Sequence, residues 1–194
     1  PTGDATVRST VAVDGNDRAR RPTHWGEMEA AQMRAWIKRT RPDRDVSLIL
    51  ASNVFRTVKT MQDEAWPEAI QLSELYPGDD VLLNELYAKL GNRPLQDYLE
   101  RGAAPPLAMW TKNALQSINE MFEACRPTGD ELVMLCGHGV FTQALLKAWM
   151  EAIEPKAKTN ILDTTVLEEC GAFSLRMENN EPLIDYHPVG SMAG

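Results

Sequence analysis

Two short stretches carry residue types suited to an anion. The first is "ASNVFRTVKT", Ala51 to Thr60, with Arg56 four positions after Ser52. If a strand ends at Ala51-Ser52, Arg56 falls in the first turn of the next helix. Its guanidinium fork then lies beside unpaired backbone N–H groups, which suits a phosphate or carboxylate. A surface arginine on an ordinary helix has the same local sequence. The second stretch is "CGHGV", Cys136 to Val140. Its glycines permit unusual backbone angles and close ligand approach. His138 between them can donate to an anion or transfer a proton, or can be a turn histidine satisfied by backbone groups. A third polar cluster, Asp14-Gly15, follows the β-branched run Thr10 to Val13.

The elements around these clusters alternate. "DVSLILAS" is a continuous apolar run, as expected for a strand covered on both faces. It feeds into "NVFRTVKTMQDEAW", which reads as a helix. "LVMLC" reads as a second buried strand and "VFTQALLKAWMEAI" as the helix after it. "DRARRPTHWG" reads as a basic loop and "GEMEAAQMRAWIKRT" as a helix with Lys38 and Arg39 in its last turn. Trp110, Ala114, Ile118, Met121 and Cys125 recur at helical spacing after two prolines. "AIQLSE" is a weaker strand candidate, "LYPGDD" is turn chemistry, and "AFSLRME" and "PLIDYHP" read as strands. The expected fold is α/β: a three-layer sandwich with a mostly parallel sheet and helices on both faces. One domain over residues 1–194 is expected, with residues 77–106 as a lid-like insertion. In such a sheet the ligand crevice lies at the carboxyl ends of the strands. All three polar clusters fall there.

The chain has 194 residues, 43% of them hydrophobic, enough for a sizeable core. Its net charge of −8 repels nucleic acid and anionic membrane surfaces, so neither is the expected partner. An anionic small ligand remains compatible, because local charge in a pocket can oppose the net charge. The three cysteines, Cys125, Cys136 and Cys170, form no CxxC pair. That argues against a disulfide framework or a zinc site and for a reduced, cytoplasmic setting. No run is long and apolar enough to span a bilayer. No cofactor or metal is expected.

Four stretches together resemble the histidine phosphatase superfamily, the phosphoglycerate-mutase-like proteins. "SNVFRTVKT" is similar to that family's Ser-Pro-x-x-Arg-Ala-x-x-Thr stretch. "MLCGHGVFTQALL" resembles its second-histidine motif, and "RPTHWGEMEAAQMRAWI" resembles its Leu-Thr-x-x-Gly-x-x-Gln-Ala helix start. "LSELYPGDD", Leu72 to Asp80, resembles a Glu-Leu-x-Pro-x-Gly-Asp stretch of the short bacterial phosphohistidine phosphatases. The four occur in the family's order over roughly residues 8 to 150. The resemblance implies a phosphate pocket in which an N-terminal Arg-His-Gly gives the nucleophilic histidine. A later arginine and a second histidine complete the cradle, and an acid protonates the leaving group. By this resemblance Arg56 and His138 match the second arginine and second histidine. Ser52 joins them as a phosphate ligand, and Glu74 is a candidate acid through the "ELYPGD" match.

The chain departs from the family at Arg-His-Gly. Its histidines are His24, His138 and His187, and none follows an N-terminal strand. Two alignments remain open. In one, Val13-Asp14-Gly15 stands in, with Asp14 at the nucleophile. In the other, Arg8-Ser9-Thr10 stands in, with Arg8 retained as a phosphate ligand and Ser9 at the nucleophile. The first is preferred because a strand must precede the site. An aspartate nucleophile would face like-charge repulsion from a phosphate dianion. A serine would lack an evident base. His24, in a loop with Arg18, Arg20 and Arg21, is a substitute phosphate ligand or a solvated loop residue. The arginines could guide an anion inward.

The resulting expectation is a divergent member lacking the phosphohistidine mechanism. It would bind a phosphorylated small molecule or phosphoprotein, or act as a regulator or scaffold. The alternative is an active phosphohydrolase with a non-standard nucleophile.

Overall fold

The computed structural model describes residues 10–13, 16–179 and 181–192. At its centre is β3 (Val46–Ser52), hydrogen-bonded to two parallel neighbours: β4 (Ile70–Leu72) on one side and β5 (Leu132–Cys136) on the other. Alternation along β3 sends side chains to opposite faces. Leu48 and Leu50 enter one core with Leu107, Trp110, Ala114 and Ile118 of α5 (Ala104–Cys125) and with Val140, Phe141, Ala144 and Leu145 of α6 (Gly139–Ile153). Ile49 enters another core with Met33 of α1 (His24–Thr40), Met61 of α2 (Phe55–Met61) and Met134 of β5. The chain is therefore α/β, with a parallel sheet between two helical layers, as its alternating pattern predicts.

Residues 77–106 join the first of these cores. They contain α3 (Val81–Leu90) and α4 (Leu95–Glu100), and Leu83, Leu95 and Tyr98 are fully buried. Tyr98 and Tyr87 both pack against Phe141 of α6. Asp80 opens α3 by accepting a hydrogen bond from the Leu83 N–H at 3.0 Å, the geometry of an N-cap. After α6, α7 (Asn160–Thr164) is pinned by Gln143, a fully buried side chain that donates to the carbonyls of Leu162 and Thr165, each at 2.8 Å. β6 (Ala172–Glu178) and β7 (Glu181–His187) form an antiparallel hairpin, and α8 (Val189–Met192) returns Met192 to the second core.

Three local differences from the sequence reading have physical causes. The basic segment expected as a loop is a strand, β2 (Asn16–Pro22), antiparallel to β1 (Thr10–Val13) with Val13 opposite Asn16. Asp-Gly flanked by strand-forming residues is a strong hairpin signal, not only a strand stop. This hairpin is separate from the three-stranded sheet. Next, α2 ends at Met61 instead of running to Trp66. Asp63 accepts from the Ala65 N–H at 3.0 Å and from Lys38 Nζ at 2.7 Å, a side-chain turn that competes with helix. Last, β5 buries only Met134 fully, because it flanks the sheet while β3 lies inside it. Among the described residues no helix is long and apolar enough to cross a membrane.

Candidate functional site

Ser52 is the last residue of β3, and His138 follows β5 as the N-cap residue of α6. Because β3 and β5 are parallel neighbours, with Ala51 opposite Cys136, their carboxyl ends come together. The turn that carries His138 depends on its glycines. Gly139 has φ +36°, a backbone region that L side chains rarely adopt, and a Cβ on Gly137 would lie 2.6 Å from Thr142 Oγ1. Arg56, in the first turn of α2, reaches back over the same point.

These side chains form one directed chain of hydrogen bonds. An arginine can only donate, so Arg56 Nη2 donates to His138 Nδ1 at 3.1 Å. The imidazole proton is then on Nε2, which donates to Ser52 Oγ at 2.7 Å. Ser52 Oγ lies 2.9 Å from Thr57 Oγ1, which itself donates to the backbone carbonyls of Ser52 and Val54 at 2.8 and 2.9 Å. Ser52 therefore passes its proton-side bond to Thr57. In this network His138 is oriented from both sides. In this tautomer the nitrogen facing Ser52 is a donor, so it is not placed to take the serine's proton.

A second cation joins from β2. Arg18 Nη1 donates to Asn53 Oδ1 at 3.2 Å, and its guanidinium lies 4.5 Å from the centre of the Tyr76 ring. Tyr76 meets the His138 ring edge-on, with centroids 5.4 Å apart. Farther along β2, Arg21 lies over the half-exposed Phe55 ring. Two guanidinium groups thus approach the strand ends, one from α2 and one from β2. The first turn of α6 adds the positive end of a 15-residue helix.

The other expected residues have different fates. Glu74 is exposed in a 3₁₀ turn, Ser73–Leu75, directly after β4. It lines a cleft with Tyr76, Asp80 and Trp110. Asp14, Ser9 and Arg8 lie outside the described residues. His24 is exposed as the first residue of α1, after Thr23, whose Oγ1 caps the helix by accepting from the Gly26 N–H. His187 packs at a tilt against Trp36, with ring centroids 4.4 Å apart, and pairs with Ser174 at 2.9 Å; burial holds it below the usual imidazole range. Burial also pushes the Cys136 thiol up to about 12, with Cys170 adding to the effect and Arg56 opposing it, so it stays protonated at neutral pH. Among the described residues no three His, Cys, Asp or Glu side chains gather as metal ligands would.

Sequence reasoning missed Tyr76 and the exact placement of Arg18. The clustering of Arg18, Arg20 and Arg21 in an acidic chain was the available signal for the second cation. For Tyr76 the sequence held none, because its contacts come from the distant β2 and from the turn before α6.

No family model matches this chain, and no curated protein matches it. Among solved structures that resemble it is a crystal structure from Agrobacterium tumefaciens, of a protein assigned as the phosphohistidine phosphatase SixA. The identity is 22%, over 75% of this chain and 76% of that one, with a TM-score of 0.42. That overlap is too loose to transfer an activity.

Proposed function

We propose that this chain binds a phosphoryl group at the carboxyl ends of β3 and β5, as a divergent histidine-phosphatase-like protein without the phosphohistidine mechanism. The observation that carries the reading is the linked set Arg56, His138 and Ser52, joined at 3.1 and 2.7 Å where two parallel strands end. Arg56 supplies a planar, always-charged fork, and Arg18 supplies a second positive charge nearby. His138 is an orienting and hydrogen-bonding group, and Ser52 and Thr57 hold its tautomer. Arg8 is a further phosphate ligand under the alignment that retains it. A phosphohistidine mechanism needs an imidazole nitrogen aimed at phosphorus. His138 has one nitrogen accepting from Arg56 and the other donating to Ser52, so both are already engaged. The ligand is a phosphorylated small molecule or phosphoprotein, and the role is regulatory or scaffolding.

Calorimetric titration with inorganic phosphate and orthovanadate tests this reading. Binding is expected, with Arg56→Ala weakening it by about 10- to 100-fold, the loss of one charge-assisted contact. Absence of binding by the wild-type protein overturns it. A generic phosphomonoester is expected not to turn over. Turnover lost in His138→Ala would make the protein an active phosphohydrolase, and phosphate trapped covalently within residues 8–15 would place its nucleophile at Asp14 or Ser9.

A further inference from the structure

Each of the three parallel strands sends a side chain to the same end of the sheet. Ser52 closes β3, His138 follows β5, and Tyr76 follows β4 after the 3₁₀ turn Ser73–Leu75. The half-buried ring of Tyr76 has three neighbours that matter here. The Arg18 guanidinium lies over it, 4.5 Å from its centre. The His138 ring meets it edge-on at 5.4 Å. Gly78, in the next 3₁₀ turn (Pro77–Asp79), lies against its far end: a Cβ there would be 2.5 Å from both Cζ and Oη. The φ of Gly78 is outside the left-handed region, so it is the missing side chain, not backbone freedom, that the ring requires.

Arg18 has a second hold. Its Nη1 donates to Asn53 Oδ1 at 3.2 Å, and Asn53 is the residue after Ser52, which is itself bonded to His138. Arg18 is thus tied on one side to the segment that carries Ser52 and on the other to the ring that packs on His138. A loose arginine samples many rotamers, and fixing it in a complex costs affinity. A ring that already orients the guanidinium removes part of that cost. Attraction of a cation and edge-on packing both belong to the aromatic ring and not to its hydroxyl.

We infer that Tyr76 is a positioning residue: its ring, seated against Gly78, holds the Arg18 guanidinium beside His138 so that both meet one phosphoryl group. The inference rests on the phosphoryl reading for what the two side chains meet, and on the contacts above for how they are placed. It explains how a cation carried by a hairpin outside the three-stranded sheet takes a defined place at the ends of that sheet's strands.

Calorimetric titration of the full chain with inorganic phosphate tests it. Tyr76→Leu should weaken binding by about five- to tenfold, the cost of ordering a loose arginine. Tyr76→Phe keeps the ring and should stay within about twofold of the wild type. Gly78→Ala keeps the tyrosine but displaces its ring, and should weaken binding by a factor similar to that of Tyr76→Leu. With Arg18→Ala already in place, Tyr76→Leu should cost less than about twofold, because its effect runs through Arg18. Three results overturn the inference: a loss in Tyr76→Phe as large as in Tyr76→Leu, an unchanged affinity in Gly78→Ala, or the full Tyr76→Leu loss in the Arg18→Ala background, which is what general damage to the fold would give. If Tyr76→Leu does not fold, Gly78→Ala takes its place in the cycle. If the wild-type protein binds no phosphate, the phosphoryl reading has failed by itself, and the Arg18 Nε–H NMR signal decides the placement. A move toward the free-arginine position in Gly78→Ala and not in Tyr76→Phe supports it; the same move in both, or none in Gly78→Ala, overturns it.

Discussion

His138 is held through both ring nitrogens, and the two bonds have opposite directions. Arg56 donates to one nitrogen, and the other donates to Ser52. Ser52 is fully buried, so the bond it accepts cannot be replaced by bulk water. Ser52→Ala should leave the Nε2–H unmet and destabilise the fold by about 1–3 kcal/mol in urea unfolding. It should also release the tautomer, read as a change in the His138 ring nitrogen shifts. An unchanged ring spectrum would show that Arg56 alone orients the imidazole. The types and spacing of Ser52, Arg56 and His138 make these residues legible in the sequence. Their mutual bonding is not legible, because 82 to 86 positions separate the partners. Arg18 and Tyr76 reach the site only through contacts between distant segments.

The strand-to-helix turn after β5 is set by fit as well as by backbone freedom. Thr142 Oγ1 occupies the space beside Gly137 that a side chain would need. Gly137→Ala should therefore destabilise the protein by about 1–3 kcal/mol, the usual range for overpacking. Adding Thr142→Ala should recover most of that loss. A double-mutant cycle of unfolding free energies checks it, and additive losses would place the strain elsewhere. Most elements are legible at this scale, because hydrophobic periodicity and capping chemistry are local. α5 and α6 match their expected spans within a residue or two. The β2 strand and the early end of α2 are not read correctly, since each depends on a partner: β1 for the hairpin and Lys38 for Asp63.

Across the whole molecule, β3 divides two cores. Ile49 belongs to one and Leu50 to the other, although they are sequence neighbours. Ile49→Ala and Leu50→Ala should each cost about 2–5 kcal/mol. Because the two side chains share no core partners, the losses should add to within about 0.5 kcal/mol in the double variant. A large interaction energy would show that the sheet transmits strain between its faces. By itself the sequence determined the α/β class, the positions of most helices and the residue types able to meet an anion. Periodicity, turn residues and side-chain chemistry are properties of short segments. Tertiary structure alone decided that Arg56 and His138 bond to each other, that Arg18 arrives from a hairpin outside the sheet, and that Tyr76 packs against both Arg18 and His138. Those outcomes depend on which strands pair and which helices dock, and no short segment encodes that.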